Sequence, residues 1–181
     1  MIYMFCANGL EEVEALAALD VMRRAGLEVT TVGVNGKTAL GPHGIQFFTD
    51  MTLEEFAECE RTADAVVLPG GGVGTETLFS DETVCAAVKK TAREGGLVCA
   101  ICAAPSIPGR LGLLDGKRAV CYPGFEKYLY GAVLSDEKVV RDGNFITAAG
   151  MGCAVSFGLE IVSALCGREK ADAIGKSIML F

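Results

Sequence analysis

Histidine is nearly absent from this chain, with one residue, His43, among 181. That scarcity excludes a good deal. Structural zinc sites need paired Cys and His ligands, and the only Cys-x-x-Cys spacing joins Cys99 to Cys102. A Ser-His-Asp hydrolase would have to use His43, which lies in the loop-like stretch Gly41-Pro42-His43-Gly44. Basic clusters are missing as well. Sixteen Lys and Arg against 23 Asp and Glu give a formal charge of −7, and the pairs Arg23-Arg24 and Lys89-Lys90 fall in helical stretches. Such a chain repels phosphates, so nucleic acid is not an expected partner. No apolar run approaches the roughly 20 residues needed to span a bilayer, so no membrane association is expected. The opening Met1-Ile2-Tyr3-Met4-Phe5 is too short, and too poor in basic residues, for a secretory signal. A soluble, cytoplasmic protein is the expectation.

Cysteine, by contrast, is plentiful: eight residues, at 6, 59, 85, 99, 102, 121, 153 and 166. Without a secretory signal this even count does not imply a disulfide framework, and most of the eight lie in apolar runs as small hydrophobes. Cys99 and Cys102 do not read as a thioredoxin-type pair, because residues three apart on a strand point to opposite faces. Any thiol chemistry is expected at a single cysteine.

Short apolar runs alternate with helical stretches, the pattern of an α/β sandwich with a mostly parallel sheet and helices on both faces. Ile2–Cys6 reads as the first strand. Val13, Ala17, Val21 and Ala25 recur every four residues as a helical ridge ending at Gly26, and Leu27–Val34 follows as a second strand. Residues 35–44 read as loop, and Thr52–Cys59 as a short helix opened by a Thr52/Glu55 capping box. Asp64–Leu68 is a buried strand running into Pro69-Gly70-Gly71-Gly72. Ser80 is expected to cap a helix over Asp81–Glu94, and Leu97–Ile101 forms the next strand. Pro105 suits the first turn of a further helix. Residues 139–147 read as a small β-hairpin on Asp142-Gly143, Cys153–Cys166 as a long helix, and the residues after Gly167 as a short one. No linker or repeat interrupts residues 1–181, so one domain is expected.

Ligands of open α/β sheets collect beyond the carboxyl ends of the strands, here at residues 8–14, 69–74 and 102–105. Familiar users of that place do not fit. The first turn, Ala7-Asn8-Gly9-Leu10-Glu11-Glu12, lacks the GxGxxG of a dinucleotide site, and its carboxylates would repel a pyrophosphate. Gly70–Gly74 lacks a P-loop ending. A phospho-receiver would need an Asp where Leu68-Pro69 stands.

Cys102 remains. Ile101-Cys102-Ala103-Ala104-Pro105 sets a thiol on a strand-to-helix turn among small residues, as a nucleophile elbow requires. N–H groups of the following helix would favour thiolate; a buried structural cysteine ahead of a helix is the alternative reading. Glu11, Glu12 and Glu14 open the first helix, where acids complement the macrodipole. That suffices for two of them, while Glu14 can aim toward the strand ends. A carboxyl in an apolar site can keep its proton and donate a hydrogen bond to a thiolate. Gly70-Gly71-Gly72 could converge its N–H groups on a negative charge together with the Ala103 N–H, or could merely permit a tight turn.

Several segments together resemble the ThiJ/PfpI family, and in particular its deglycase branch. They are Asn8-Gly9-Leu10-Glu11-Glu12-Val13-Glu14, Asp20–Gly26, Val67-Leu68-Pro69-Gly70-Gly71, Ala100–Pro105, Phe157-Gly158-Leu159-Glu160 and Gly167–Ala171. The resemblance runs through nearly the whole chain in the same order. It implies a flavodoxin-like sandwich, a homodimer, Cys102 as nucleophile, Glu14 as its protonated partner, and Gly71 and Ala103 as backbone donors. The activities it implies are glutathione-independent conversion of α-oxoaldehydes and repair of glycation adducts, without metal or cofactor, the partners being small aldehydes or glycated groups. A redox sensor or redox-regulated chaperone built on the same cysteine is the first alternative. An amidotransferase- or peptidase-like cysteine hydrolase is the second. Where many members carry His beside the cysteine, this chain has Tyr122-Pro123. A phenol is a poor base at neutral pH, so Tyr122 is expected to contact substrate rather than abstract protons. Gly150-Met151-Gly152 replaces a Gly-Pro-Gly turn. His43 is expected in an exposed loop.

Overall fold

The computed structural model describes residues 1–59 and 62–181. Its strands are β1 (Ile2–Cys6), β2 (Val29–Gly33), β3 (Thr38–Leu40), β4 (Gln46–Phe48), β5 (Met51–Thr52), β6 (Ala65–Leu68), β7 (Leu97–Ile101), β8 (Arg118–Ala119), β9 (Val133–Leu134), β10 (Val139–Asp142) and β11 (Phe145–Ala148). The centre is a seven-stranded sheet in the order β10-β11-β7-β6-β1-β2-β5. All neighbours run parallel except the β10–β11 hairpin, where Asp142 faces Phe145 across the expected turn. Strand alternation sorts the side chains into two layers. Ile2, Met4, Val67, Cys99 and Ile101 face one core, with helices α1 (Glu12–Arg24), α6 (Ala154–Cys166) and α7 (Arg168–Ser177). Tyr3, Phe5, Val66, Leu68 and Ala100 face the other, with α2 (Leu53–Ala57), α3 (Gly72–Ser80), α4 (Glu82–Arg93) and α5 (Ser106–Arg110). This is the α/β, flavodoxin-like sandwich expected, with helices on both faces. No helix among the described residues is long and apolar enough to cross a membrane.

Helices α1 and α6 pack very closely. A Cβ on Gly158 would lie 3.0 Å from Val21 Cβ and 3.2 Å from Ala18 Cα, so the glycine sets how near the axes come. The chain passes from β1 to β2 on one side and returns to β6 on the other. The strand order therefore reverses between β1 and β6, the crevice where sheets of this kind bind ligands.

Four local expectations are corrected. Val13 is exposed, and the buried face of α1 instead carries Ala15, Ala18, Leu19, Val21 and Met22, together with Glu12 and Glu14. Two acids in the core displace the face that an apolar pattern assigns. Asp81, not Ser80, caps α4, its carboxylate accepting from the N–H groups of Thr83 and Val84. Ser80 ends α3, a helix the glycines at 72 and 74 disguise; Gly74 is there because a Cβ would fall 2.7 Å from Leu10 N. Within residues 35–44 lies β3 (Thr38–Leu40), which pairs with β4 (Gln46–Phe48) as a second hairpin. The Thr52/Glu55 capping box forms as expected.

Candidate active site

The three segments at the strand ends meet at the crevice. Cys102 follows the last residue of β7 and adopts φ 65°, the left-handed region that costs a non-glycine residue free energy and persists where surroundings enforce it. They do so here. Its N–H donates to Ala148 O (2.8 Å), its carbonyl accepts from Tyr122 N–H (2.8 Å), and Ala104 N–H closes the turn on Ile101 O (3.0 Å). The bend also interrupts the pleat, so half-buried Cys102 packs against the same layer as Cys99, not the opposite face. Cys99 is fully buried and its thiol is held well above the usual range by that burial, so it is no redox partner in this state. The helix after the elbow, α5, spans only five residues. Donors acting on the Cys102 sulfur are the backbone N–H groups of Ala103 and, from the neighbouring strand end, Gly71.

Glu14, in the first turn of α1, is 1% exposed. Its Oε2 accepts from Gly70 N–H at 3.0 Å, while Oε1 is buried and, among the described residues, has no hydrogen-bond partner of good geometry. The Cys102 thiol and the Met151 backbone are the polar groups that act on the carboxyl from beyond Gly70. Gly70 explains how acid and thiol come together. A Cβ there would lie 2.5 Å from Glu14 Oε2 and 2.6 Å from Cys102 Cβ, so the two side chains flank the space one methyl group would need. Burial pushes the Glu14 carboxyl up, to about 7, against the Cys102 and Gly70 hydrogen bonds and with the charge of Glu11. Burial, then the Glu14 charge and hydrogen bond, push the Cys102 thiol up to about 12; the Gly71 and Ala103 N–H groups oppose this. One proton is thus held between an acid and a thiol that cannot both ionise cheaply.

Gly71 adopts φ +91°, and a Cβ there would sit 2.3 Å from Gly9 O, so only glycine can bring this donor in. Tyr122 meets the site through its backbone N–H and through its ring, which lies against Gly150; its side chain is half exposed. A cavity of about 640 Å³ opens beside it, lined by Tyr122, Gly150, Met151, Cys121 and Lys138 among others.

Three residues were hidden from the sequence argument. Gly70 was overshadowed by Gly71. Glu11 caps α1, its Oε2 accepting from Glu14 N–H at 2.7 Å. Glu12, assigned above to the macrodipole, is 2% exposed and accepts from both the N–H and Nδ1 of His43, each at 2.8 Å. His43 is exposed, as expected, but ion-paired. Glu11, Glu12 and His43 bring three potential ligand atoms within 4.8 Å of one another, and both Glu12 oxygens and Glu11 Oε2 already accept internal hydrogen bonds.

Residues 1–164 match the model of the DJ-1/PfpI family. This chain belongs to that family. It is 37% identical to protein dj-1beta of Drosophila melanogaster over 177 residues, covering 96% of this chain and 94% of the relative. It is 30% identical to the glutathione-independent glyoxalase DJR-1.2 of Caenorhabditis elegans over 178 residues, 94% and 90% of the two chains. The crystal structure of the Drosophila DJ-1beta superposes with a TM-score of 0.91 at 36% identity, over 98% of this chain and 96% of that one.

Proposed function

We propose that this protein is a cysteine-dependent enzyme acting on α-oxoaldehydes, of the glutathione-independent glyoxalase and deglycase type, working as a cytoplasmic homodimer. One observation carries the reading: a buried glutamate with a value near 7 set against a thiol on a left-handed elbow. An acid that titrates near the working pH is the most effective proton carrier. The name of the nematode relative, a glutathione-independent glyoxalase, supports the choice of substrate class.

Glu14 accepts the Cys102 proton as sulfur adds to the aldehyde carbon, and delivers it to the carbonyl oxygen, giving a hemithioacetal. The Gly71 and Ala103 N–H groups stabilise the oxyanion during addition. Glu14 carboxylate then removes the proton from that carbon. The electron pair of that bond forms the carbon–carbon double bond as Glu14 passes the proton to the ketone oxygen, giving an enediol; Glu14 then takes the proton of the first carbon's hydroxyl and delivers it to the adjacent carbon, leaving a hydroxyacyl thioester. Water cleaves the thioester, releasing the 2-hydroxy acid and restoring the thiol. The sequence consumes one water and needs no external oxidant or reductant. Tyr122, half exposed beside Gly150, is the substrate contact in this reading, since a phenol can hydrogen-bond a carbonyl oxygen.

The test is lactate formation from methylglyoxal without glutathione, comparing wild type with Cys102→Ser, on protein whose solution mass is measured in parallel and is expected to be that of a dimer. Aldehyde loss alone is uninformative, since any nucleophilic protein consumes methylglyoxal. Multiple turnovers in the wild type, lost in the variant, are expected. No lactate above the variant would replace this reading with peroxide sensing by the same thiol.

A further inference from the structure

The reaction above uses Glu14 and leaves unexplained why Glu12, two residues earlier, is just as buried. Its surroundings are built. Both carboxylate oxygens are taken by His43, through the backbone N–H and Nδ1, and a Cβ on Gly41 would lie 2.2 Å from Glu12 Cδ and Oε1. Asn8 fastens the same hairpin, accepting from Leu40 N–H at 3.0 Å, while Gly9 N–H donates to Leu40 O at 2.7 Å. The other side of this short segment grips the donor loop. Glu11 N–H donates to Gly70 O (3.0 Å), Gly74 N–H donates to Gly9 O (3.2 Å), and the Glu11 carboxylate holds Glu14 N–H. Residues 8–14 are therefore bonded to the β3–β4 hairpin on one side and to Gly70-Gly71 on the other.

We infer that Glu12 and His43 are positioning residues, a hydrogen-bonded clamp between the hairpin and the start of α1 that fixes Glu14 and the Gly70-Gly71 N–H groups relative to the Cys102 sulfur. This rests on the reading that Cys102 and Glu14 act together. Neither clamp residue touches the reacting atoms. The charged groups that act on the His43 ring are Glu12 and, more weakly, Glu11; the Glu12 hydrogen bond and charge hold the imidazole above its ordinary value. A buried carboxylate oxygen left without its donor is disfavoured, so loss of the ring must move either Glu12 or the hairpin, and with it the segment that carries Glu14.

His43→Ala leaves Glu12 one backbone donor, and His43→Gln restores a side-chain N–H. The measurements are the pH dependence of iodoacetamide alkylation at Cys102, read by peptide mass, and the kcat and KM for lactate formation, with melting temperature recorded alongside. His43→Ala is expected to shift the alkylation midpoint by about half a pH unit or more and to lower kcat at least ~3-fold with KM little changed. His43→Gln should recover most of both. Alkylation profiles and kcat matching wild type would overturn the clamp, as would a shift that His43→Gln fails to reverse. If wild type makes no lactate while His43→Ala still moves the Cys102 profile reversibly, the clamp stands and the oxoaldehyde reading falls.

Discussion

Glu12 and Glu14 leave the same turn of α1, are both almost inaccessible to water, and are driven in opposite directions. For Glu14 burial prevails over the Cys102 thiol and the Gly70 and Met151 backbone groups, raising it to about 7. For Glu12 burial also acts upward, but the His43 side chain and the backbone N–H groups around it outweigh that and bring it to about 2. The difference between an acid that keeps its proton near neutral pH and one held as the anion therefore lies in the partner, not in burial or residue type. One imidazole, the only one in the chain, has been placed on the acid that must stay charged. The thiol sits beside the acid whose value burial raises.

The sharpest way to break this contrast is Glu14→Gln. An amide cannot carry the proton through addition and enediol formation, and lactate turnover should fall roughly 100- to 10,000-fold. Turnover unchanged in stopped-time lactate assays would remove Glu14 from the reaction.

A smaller effect, on stability, separates the two acids by pH. Glu14 binds its proton more tightly folded, at about 7, than at its ordinary value of 4.5. Its favourable contribution is complete below 4.5 and is lost as pH rises through 7. Glu14→Gln, permanently neutral, should melt a few degrees above wild type at pH 8 and close to it at pH 5. Glu12 has the reverse sign. Its folded value of about 2 lies below 4.5, so its contribution is present above 4.5 and lost as pH falls toward 2. Glu12→Gln should therefore melt below wild type at neutral pH, with the gap narrowing in acid. Thermal scans across pH that moved both variants in the same direction would undo the comparison.

Much of the frame was legible because its signals are local. Apolar runs of four or five residues, Gly95-Gly96, the Thr52/Glu55 capping box and the Asp142-Gly143 turn each determine their own neighbourhood, and the strands and hairpin lie where those signals put them. Cys102 could be singled out because small residues around a strand end have few other uses. What stayed hidden depends on contacts between distant segments. Gly74 reads as a helix breaker until Leu10 is seen against it. Gly70 reads as turn material until Glu14 and Cys102 are seen on either side. Glu12 and His43 are 31 positions apart, and nothing near either announces the other. The burial of two acids on α1 then misled the periodicity itself, because a hydrophobic pattern assumes that carboxylates face water.

The account stands on Glu14 keeping a proton where Glu12 does not, and infrared difference spectroscopy of the protonated carboxyl stretch reads this directly. Between pH 5 and 9 the wild type should lose one buried carboxylic-acid band with a midpoint near 7. That band should be absent from Glu14→Gln and retained in Glu12→Gln. A wild type without a protonated carboxyl at pH 5.5, or a band that disappears in Glu12→Gln instead, would contradict it.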